Sequence, residues 1–416
     1  MNRRNFNALL ASSFAVSRSA WAQPKAPRFA FYASVGPQFT HYDADVEAAT
    51  LQRRVSIRLP ANVQYAWPHP SRRFLYVVSS NGEPGGGDAA KGDAHFATAL
   101  MIAADGTLTP HGTPARLSQR PIHTSVDATG NYLMIAYNDP SNLTVSRLNA
   151  DGTIGEFVAQ RVPPDTGIFA HQIRTTPGNR TAVLVTRGNN ATPTHGEDPG
   201  ALKVFAFADG QFTKLQSLAP NNGYGFGPRH LDFHATLPFV YVSLERQSRL
   251  YTYRLNGDGT LSSDPLFMKS SLPDPANIRP GQAAGTVHVH PNGRFVYQAN
   301  RNSGVVDFRG QKVFGGGENS IAVWAINQQT GEPNLSQNID VRGNQPRTFG
   351  IDPSGRLLVV ANIQPIARRN GDAVTTEPAD LSVFRIGADG KLTFARKYDV
   401  DTTQGTQFWS GVVPLA

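Results

Sequence analysis

The chain has 416 residues, a formal net charge of +8, 39 Gly, 30 Pro and no Cys. The missing thiols exclude a disulfide scaffold, an iron–sulfur cluster, a Cys-based zinc site and a cysteine nucleophile, and no stretch of about 18 apolar residues is present to cross a bilayer. Gly and Pro make 69 of the 416 residues, a turn-rich composition that suits an all-β domain better than a helical one.

In chain order, residues 1–22 read as an export signal and residues 23–416 as one domain. Arg3 and Arg4 open a charged start before Phe6, residues 8–16 are short and weakly apolar, and Ala20-Trp21-Ala22 has the small-x-small form of a cleavage site. The paired arginines resemble a twin-arginine signal, so a periplasmic or secreted location is expected. Cleavage removes Arg3, Arg4 and Arg18 and no acid, which takes the charge from +8 to +5 over 394 residues. So modest an excess, without a basic run or basic helix, leaves no footprint for nucleic acid. The expected molecule is a monomer with no membrane span.

A repeat organises the rest. An apolar strand, a Pro/Gly tip and a second strong strand recur, with the last tip residue at positions 73, 131, 180, 238, 294 and 356. The mean spacing is 56.6 residues, close to one seventh of 394. Alternating segments at 202–207, 250–255, 321–326 and 381–386 recur in phase with it. Hairpin turns follow in the same phase at Asp105-Gly106, Asp151-Gly152, Asp209-Gly210, Asp258-Gly259, Thr330-Gly331 and Asp389-Gly390, read as two-residue turns in which Gly supplies a positive φ. Four strands per unit make the blade of a β-propeller. Six units are complete. Residues 29–35 lack a preceding first strand and residues 406–413 lack a blade, so the spacing predicts a seven-bladed propeller closed by pairing the C-terminal strand with the N-terminal blade. A pair of β-sandwiches would leave the fixed period unexplained.

Aligning the units exposes a polar ring. Nine residues before the tip mark stand Gln64, Ile122, His171, Arg229, Gly285 and Arg347; seven after it stand Ser80, Asn138, Arg187, Glu245, Arg301 and Ile363. The strands between these columns are apolar, so charge gathers where they meet one face of the ring, as a binding site at a channel mouth requires. Long connections at 81–95, 302–319 and 364–380, and a shorter one at 188–199, leave from that face and roof it. Excess arginine predicts an anionic or carbonyl-bearing ligand, because the guanidinium fork binds carboxylate or phosphate in pairs of bonds.

Gly227-Pro228-Arg229-His230-Leu231-Asp232-Phe233-His234, Tyr241-Val242-Ser243-Leu244-Glu245, His290-Pro291-Asn292-Gly293-Arg294 and Pro346-Arg347-Thr348-Phe349-Gly350-Ile351-Asp352-Pro353-Ser354-Gly355-Arg356 resemble the lactonase family of seven-bladed propellers. That family includes bacterial 6-phosphogluconolactonase and carboxy-cis,cis-muconate cyclase. The resemblance implies His171, Arg229, Glu245 and Arg301 as catalytic residues. Arg187, Arg347, His230, Asn138 and His123 are the expected substrate contacts. The expected activity is metal-independent hydrolysis or formation of a lactone of a small carboxylated or sugar acid, with no cofactor. Glu245 or His171 would be the general base, and Ala at Arg229 or Glu245 would abolish turnover at a near-normal melting temperature. The alternatives are a non-catalytic propeller that binds an anionic ligand or peptide, and a muconate-cyclase-like isomerase. His288-x-His290 has the form of a metal-site seed but lies near a tip without a carboxylate constellation, so it reads as structural. His69, His234 and His290 read as turn or packing residues.

Overall fold

The computed structural model describes residues 28–83, 91–276 and 278–416. The export signal read at residues 1–22 lies outside them.

Seven antiparallel sheets, each of four or five strands, form a seven-bladed propeller. The innermost strands are Asn62–Pro68, Pro121–Val126, Ala170–Thr175, Pro228–Phe233, Gln282–Val289, Pro346–Ile351 and Ser410–Pro414, and successive ones neighbour each other around the channel. Numbered in that order, blade 7 joins the two ends of the chain: Ser410–Pro414 pairs with Phe29–Val35, with Tyr32 opposite Gly411. The pairing covers a strand edge that would otherwise stay open.

Apolar side chains of the middle strands pack between blades. Tyr297 and Val323 of blade 5, for instance, share a cluster with Leu358, Val360 and Phe384 of blade 6. A repeated polar device adds to this packing. Tyr32, Tyr76, Tyr241 and Tyr297 each donate a hydroxyl to a glycine carbonyl in the next blade's hairpin turn, namely Gly106, Gly152, Gly331 and Gly390, at 2.6–3.0 Å. The tip histidines do the same on a second radius. His69, His234 and His290 place Nε2 at 2.6–3.0 Å from the carbonyls of Gly130, Gly293 and Gly355 in the following tip. These three histidines therefore tie blades together.

Two local expectations need correction. Asp209-Gly210 is a two-residue turn with both residues at positive φ. In contrast, Ala103 N–H bonds to Thr107 O and Gly106 N–H to Ala103 O, and the turns at Asp151-Gly152, Asp258-Gly259 and Asp389-Gly390 repeat that pattern. These are three-residue loops, a type I turn followed by one left-handed Gly, which match strand twist with a single residue at positive φ. Thr330-Gly331 has one residue more, with Asn327 N–H bonded to Glu332 O.

The second correction concerns two of the long connections. They carry hairpins of their own, Val305–Phe308 with Gln311–Phe314 and Ile366–Asn370 with Ala373–Glu377. The hairpins lean on each other through Arg309 and Asp372 at 2.7 Å, and through Arg368 and Arg369 over the rings of Phe314 and Phe308 at 4.7 and 4.3 Å.

Candidate functional site

The backbone explains why one alignment column forms a ring. In each of blades 1–6 the pairing of the inner strand with its neighbour slips by one residue at the first-column position. Ala170 faces Thr186 and Gln172 faces Val185, leaving His171 as the extra residue; Arg229 and Arg347 are the extra residues between Pro228 and His230 and between Pro346 and Thr348. Gln64, Ile122 and Gly285 fall in the corresponding slips. A β-bulge re-aims the side chain it carries. Two residues upstream, Phe169, Gly227 and Gln345 adopt positive φ of 57°, 49° and 54°. In blades 3 and 4 the carbonyls of Phe169 and Gly227 accept the amides of Arg187 and Glu245 at 2.9 and 2.8 Å. One kink thus locks a first-column residue beside its second-column partner.

The columns meet around Glu245. Its carboxylate accepts from Arg187 Nη1 at 3.0 Å and from Arg301 Nη2, and Arg229 Nε stands 3.5 Å away. Arg229 is 1 % exposed. Burial alone would raise the Glu245 pKa, but Arg301, Arg187 and Arg229 outweigh it and hold the carboxyl down at about 2. Burial, then Arg301, pulls Arg229 down to about 9, opposed by Glu245. Arg347 is different: its Nε donates to Phe408 O at 3.1 Å and its guanidinium lies 3.6 Å over the Phe408 ring. Among the described residues no carboxylate pairs with Arg347, and burial followed by the repulsion of Arg229 lowers its pKa well below the usual value.

Beneath the arginines stand three buried imidazoles. His230 is 5.1 Å from His171 and 6.1 Å from His123, centroid to centroid, and Tyr65 lies 4.1 Å from His123. Burial, reinforced by Arg229, lowers the pKa of His171 and His230 well below the usual value; burial does the same for His123, reinforced by Arg174 and Arg229. All three are neutral at pH 7. Among the described residues, His171 Nδ1 and both nitrogens of His123 have no hydrogen-bond partner.

The geometry therefore brings His171, Arg229, His230, Glu245, Arg187 and Arg301 into one cluster, with Arg347 beside it. His123 sits deeper in the channel. Asn138 is turned to another task, since its Oδ1 accepts from Arg120 Nη1 at 3.2 Å. Two expectations change. A carboxyl held at about 2 by three guanidiniums is a poor proton acceptor at neutral pH, which moves the general-base role away from Glu245. Cutting a residue paired three ways in the interior to Ala is expected to lower the melting temperature, contrary to the near-normal value expected from the sequence.

The sequence alignment missed Arg120. Its buried guanidinium bonds to Gln64 Oε1 at 2.5 Å, Asn138 and the Gly82 carbonyl, and lies 6.0 Å over Phe408. Arg120 stands immediately before an inner strand, two residues outside the aligned column. Phe169, stacked 3.8 Å under Arg187, was missed for the same reason. Among the described residues no group of three His, Asp or Glu side chains is placed to hold a metal ion, and no helix is long and apolar enough to cross a membrane.

Comparison with known proteins agrees with this architecture. Over 246 residues the chain is 28 % identical to a 6-phosphogluconolactonase of Bacillus subtilis, covering 58 % of this chain and 63 % of that one. It is 26 % identical over 377 residues to a 6-phosphogluconolactonase of Serratia proteamaculans, covering 89 % and 95 %. The periplasmic gluconolactonase PpgL of Pseudomonas aeruginosa superposes with a TM-score of 0.66 at 21 % identity over 93 % of this chain and 99 % of that one; a Lactobacillus plantarum protein does so with 0.63 at 20 % over 94 % and 100 %. The model of the seven-bladed β-propeller lactonases matches residues 32–365. With its sevenfold sheet order and its match to that model over most of its length, the chain belongs to the seven-bladed β-propeller lactonase family.

Proposed function

We propose that this protein hydrolyses a lactone bearing an anionic group, or runs the reverse lactonisation, by a route that draws only on its own side chains. The observation that carries this reading is an imbalance of charge: Arg187, Arg229 and Arg301 surround the Glu245 carboxylate, and Arg347, with Arg120 near it, adds positive charge that among the described residues has no acidic partner. A ligand that brings a negative charge, and develops another on oxygen during reaction, completes such a site. The family relatives named 6-phosphogluconolactonase support the lactone class.

Arg347, which among the described residues lacks an acidic partner, receives the anionic group. Arg229 and Arg301, fixed in position by Glu245, polarise the lactone carbonyl. Water adds to the carbonyl carbon as neutral His171 accepts its proton, its basicity restored when the bound ligand's negative charge offsets Arg229, Arg347 and Arg187, which with burial hold its pKa down, and the carbonyl π pair moves onto oxygen, where the guanidiniums stabilise it. Collapse re-forms the carbonyl, breaks the ring C–O bond and returns the proton from His171 to the departing alkoxide, which gives the open hydroxy acid. Each preorganised donor of this kind is worth about 100-fold or more in rate.

The reading includes export to the periplasm, supported by Arg3, Arg4 and the Ala20-Trp21-Ala22 site. Cell fractionation with N-terminal sequencing tests it: a periplasmic chain starting at Gln23 is expected, and a cytoplasmic chain retaining Met1 refutes it. The activity is tested by a panel of glucono-, 6-phosphoglucono- and carboxylated lactones. Turnover of at least one anionic member is expected. Thermal stabilisation by these compounds without hydrolysis at any pH refutes the enzyme reading in favour of a binding propeller.

A further inference from the structure

The opposite mouth of the channel, where the strands reach their tips, contains a second group of unusual side chains. Asp232 is central to it and lies three residues beyond Arg229 on the same inner strand, about 10 Å at strand rise. Its Oδ1 accepts from Arg174 Nη1 at 2.5 Å, and its Oδ2 accepts from the Val289 amide at 2.9 Å and faces His288 Nδ1 at 3.6 Å. The Arg174 guanidinium is held between two rings, 5.0 Å from Trp67 and 5.3 Å from Phe233. His288 meets the Phe349 ring edge-on at 5.0 Å.

Two cavities open beside this group. One of about 430 Å³ is lined by Trp67, Arg174, Phe233 and Arg72, and one of about 260 Å³ by Trp67, His288, Phe349 and Trp409. Trp67 is common to both. The acids at this mouth are already satisfied. Asp127 is used by its own tip turn and by Asn179, and Asp232 by Arg174 and Val289. The two histidines on the larger cavity, His69 and His234, spend both nitrogens on tip contacts.

Two basic side chains at this mouth keep donors to spare among the described residues. Among the described residues, Arg174 Nε and Nη2 and His288 Nε2 have no hydrogen-bond partner, although Arg174 is 20 % and His288 35 % exposed. Donors on aromatic walls, with every nearby acid occupied, select a ligand that combines one carboxylate with a flat ring. We propose that this tip-side mouth is a second ligand site, formed by Arg174, His288 and Trp67, that takes a small ring-bearing monocarboxylate. It is separate from the Arg–Glu cluster and does not depend on lactone hydrolysis.

Calorimetric titration of the purified chain with benzoate, and with benzyl alcohol as the neutral counterpart, tests the proposal. Saturable benzoate binding is expected, with benzyl alcohol weaker by about tenfold or more. Arg174→Gln should weaken benzoate by a similar factor. Because that variant strips Asp232 of its partner and risks misfolding, His288→Gln, which leaves the Arg174–Asp232 pair intact, is run beside it, and the same direction of change is expected. Because the Arg–Glu cluster can also take a carboxylate, the titration is repeated in Arg347→Gln, where the benzoate binding that depends on Arg174 and His288 should persist. Absence of saturable benzoate binding overturns the proposal. So does benzoate binding that is unweakened in folded Arg174→Gln and His288→Gln, whatever Arg347→Gln does.

Discussion

Replacing Glu245 by Gln removes one charge and almost no volume, so its consequences follow from electrostatics. The carboxyl is lowered from an ordinary 4.5 to about 2, against the effect of its own burial, by Arg301, Arg187 and Arg229. A shift of that size corresponds to about 3 kcal/mol of folding stability, and with the side chain 11 % exposed little of it is lost to solvent screening. Breaking a buried ion pair from one side costs a similar about 3–5 kcal/mol. Because the folded pKa is depressed, this stability is fully present above pH 4.5 and is lost as the pH falls through about 2. Urea unfolding of wild type and Glu245→Gln from neutral pH downward should therefore show a gap of about 3 kcal/mol at pH 7 that closes on acidification. Equal stability at pH 7 would refute the ion-pair account. A gap unchanged down to pH 2 would show that packing, and not charge, was lost.

Two further outcomes follow from the packing. Asp380 is fully buried among Asn362, Ser382 and Lys397, and burial raises its pKa from 3.8 to about 6. A raised acid pKa penalises the fold as pH climbs through that window, so Asp380→Asn should flatten the fall in stability between pH 4 and 6 by up to about 3 kcal/mol; an unchanged slope in urea melts contradicts it. Tyr297→Phe deletes the hydroxyl that donates to Gly390 O at 2.8 Å in the next blade and leaves a buried carbonyl short of a partner. A loss of about 1 kcal/mol in chemical denaturation is expected, and no loss would mean that these repeated contacts do not hold neighbouring blades together.

Much of this was readable from residues because the repeat aligns itself. Counting nine back from each tip located His171, Arg229 and Arg347 without knowledge of the backbone, and the structure supplies the reason: a bulge at the same position in every aligned blade. The count failed where residues lie outside that bulge. Arg120 precedes its strand and enters the site by the reach of its side chain, and Phe408 arrives from the segment that closes the ring. The hairpin at Val305–Phe308 and Gln311–Phe314 was hidden by the glycines around it, although Arg309 and Gly310, with φ of 53° and 78°, form a two-residue turn. The role of Glu245 was beyond sequence reasoning, because three guanidiniums must be placed around a carboxylate before it becomes a poor base.

The most direct test is steady-state hydrolysis of the best anionic lactone at pH 7 by wild type, His171→Asn and Arg347→Gln, with folding of each checked by circular dichroism. The account predicts that His171→Asn lowers kcat by about 100-fold or more and that Arg347→Gln raises KM for the anionic lactone but not for a neutral one. Full activity in both folded variants would contradict it.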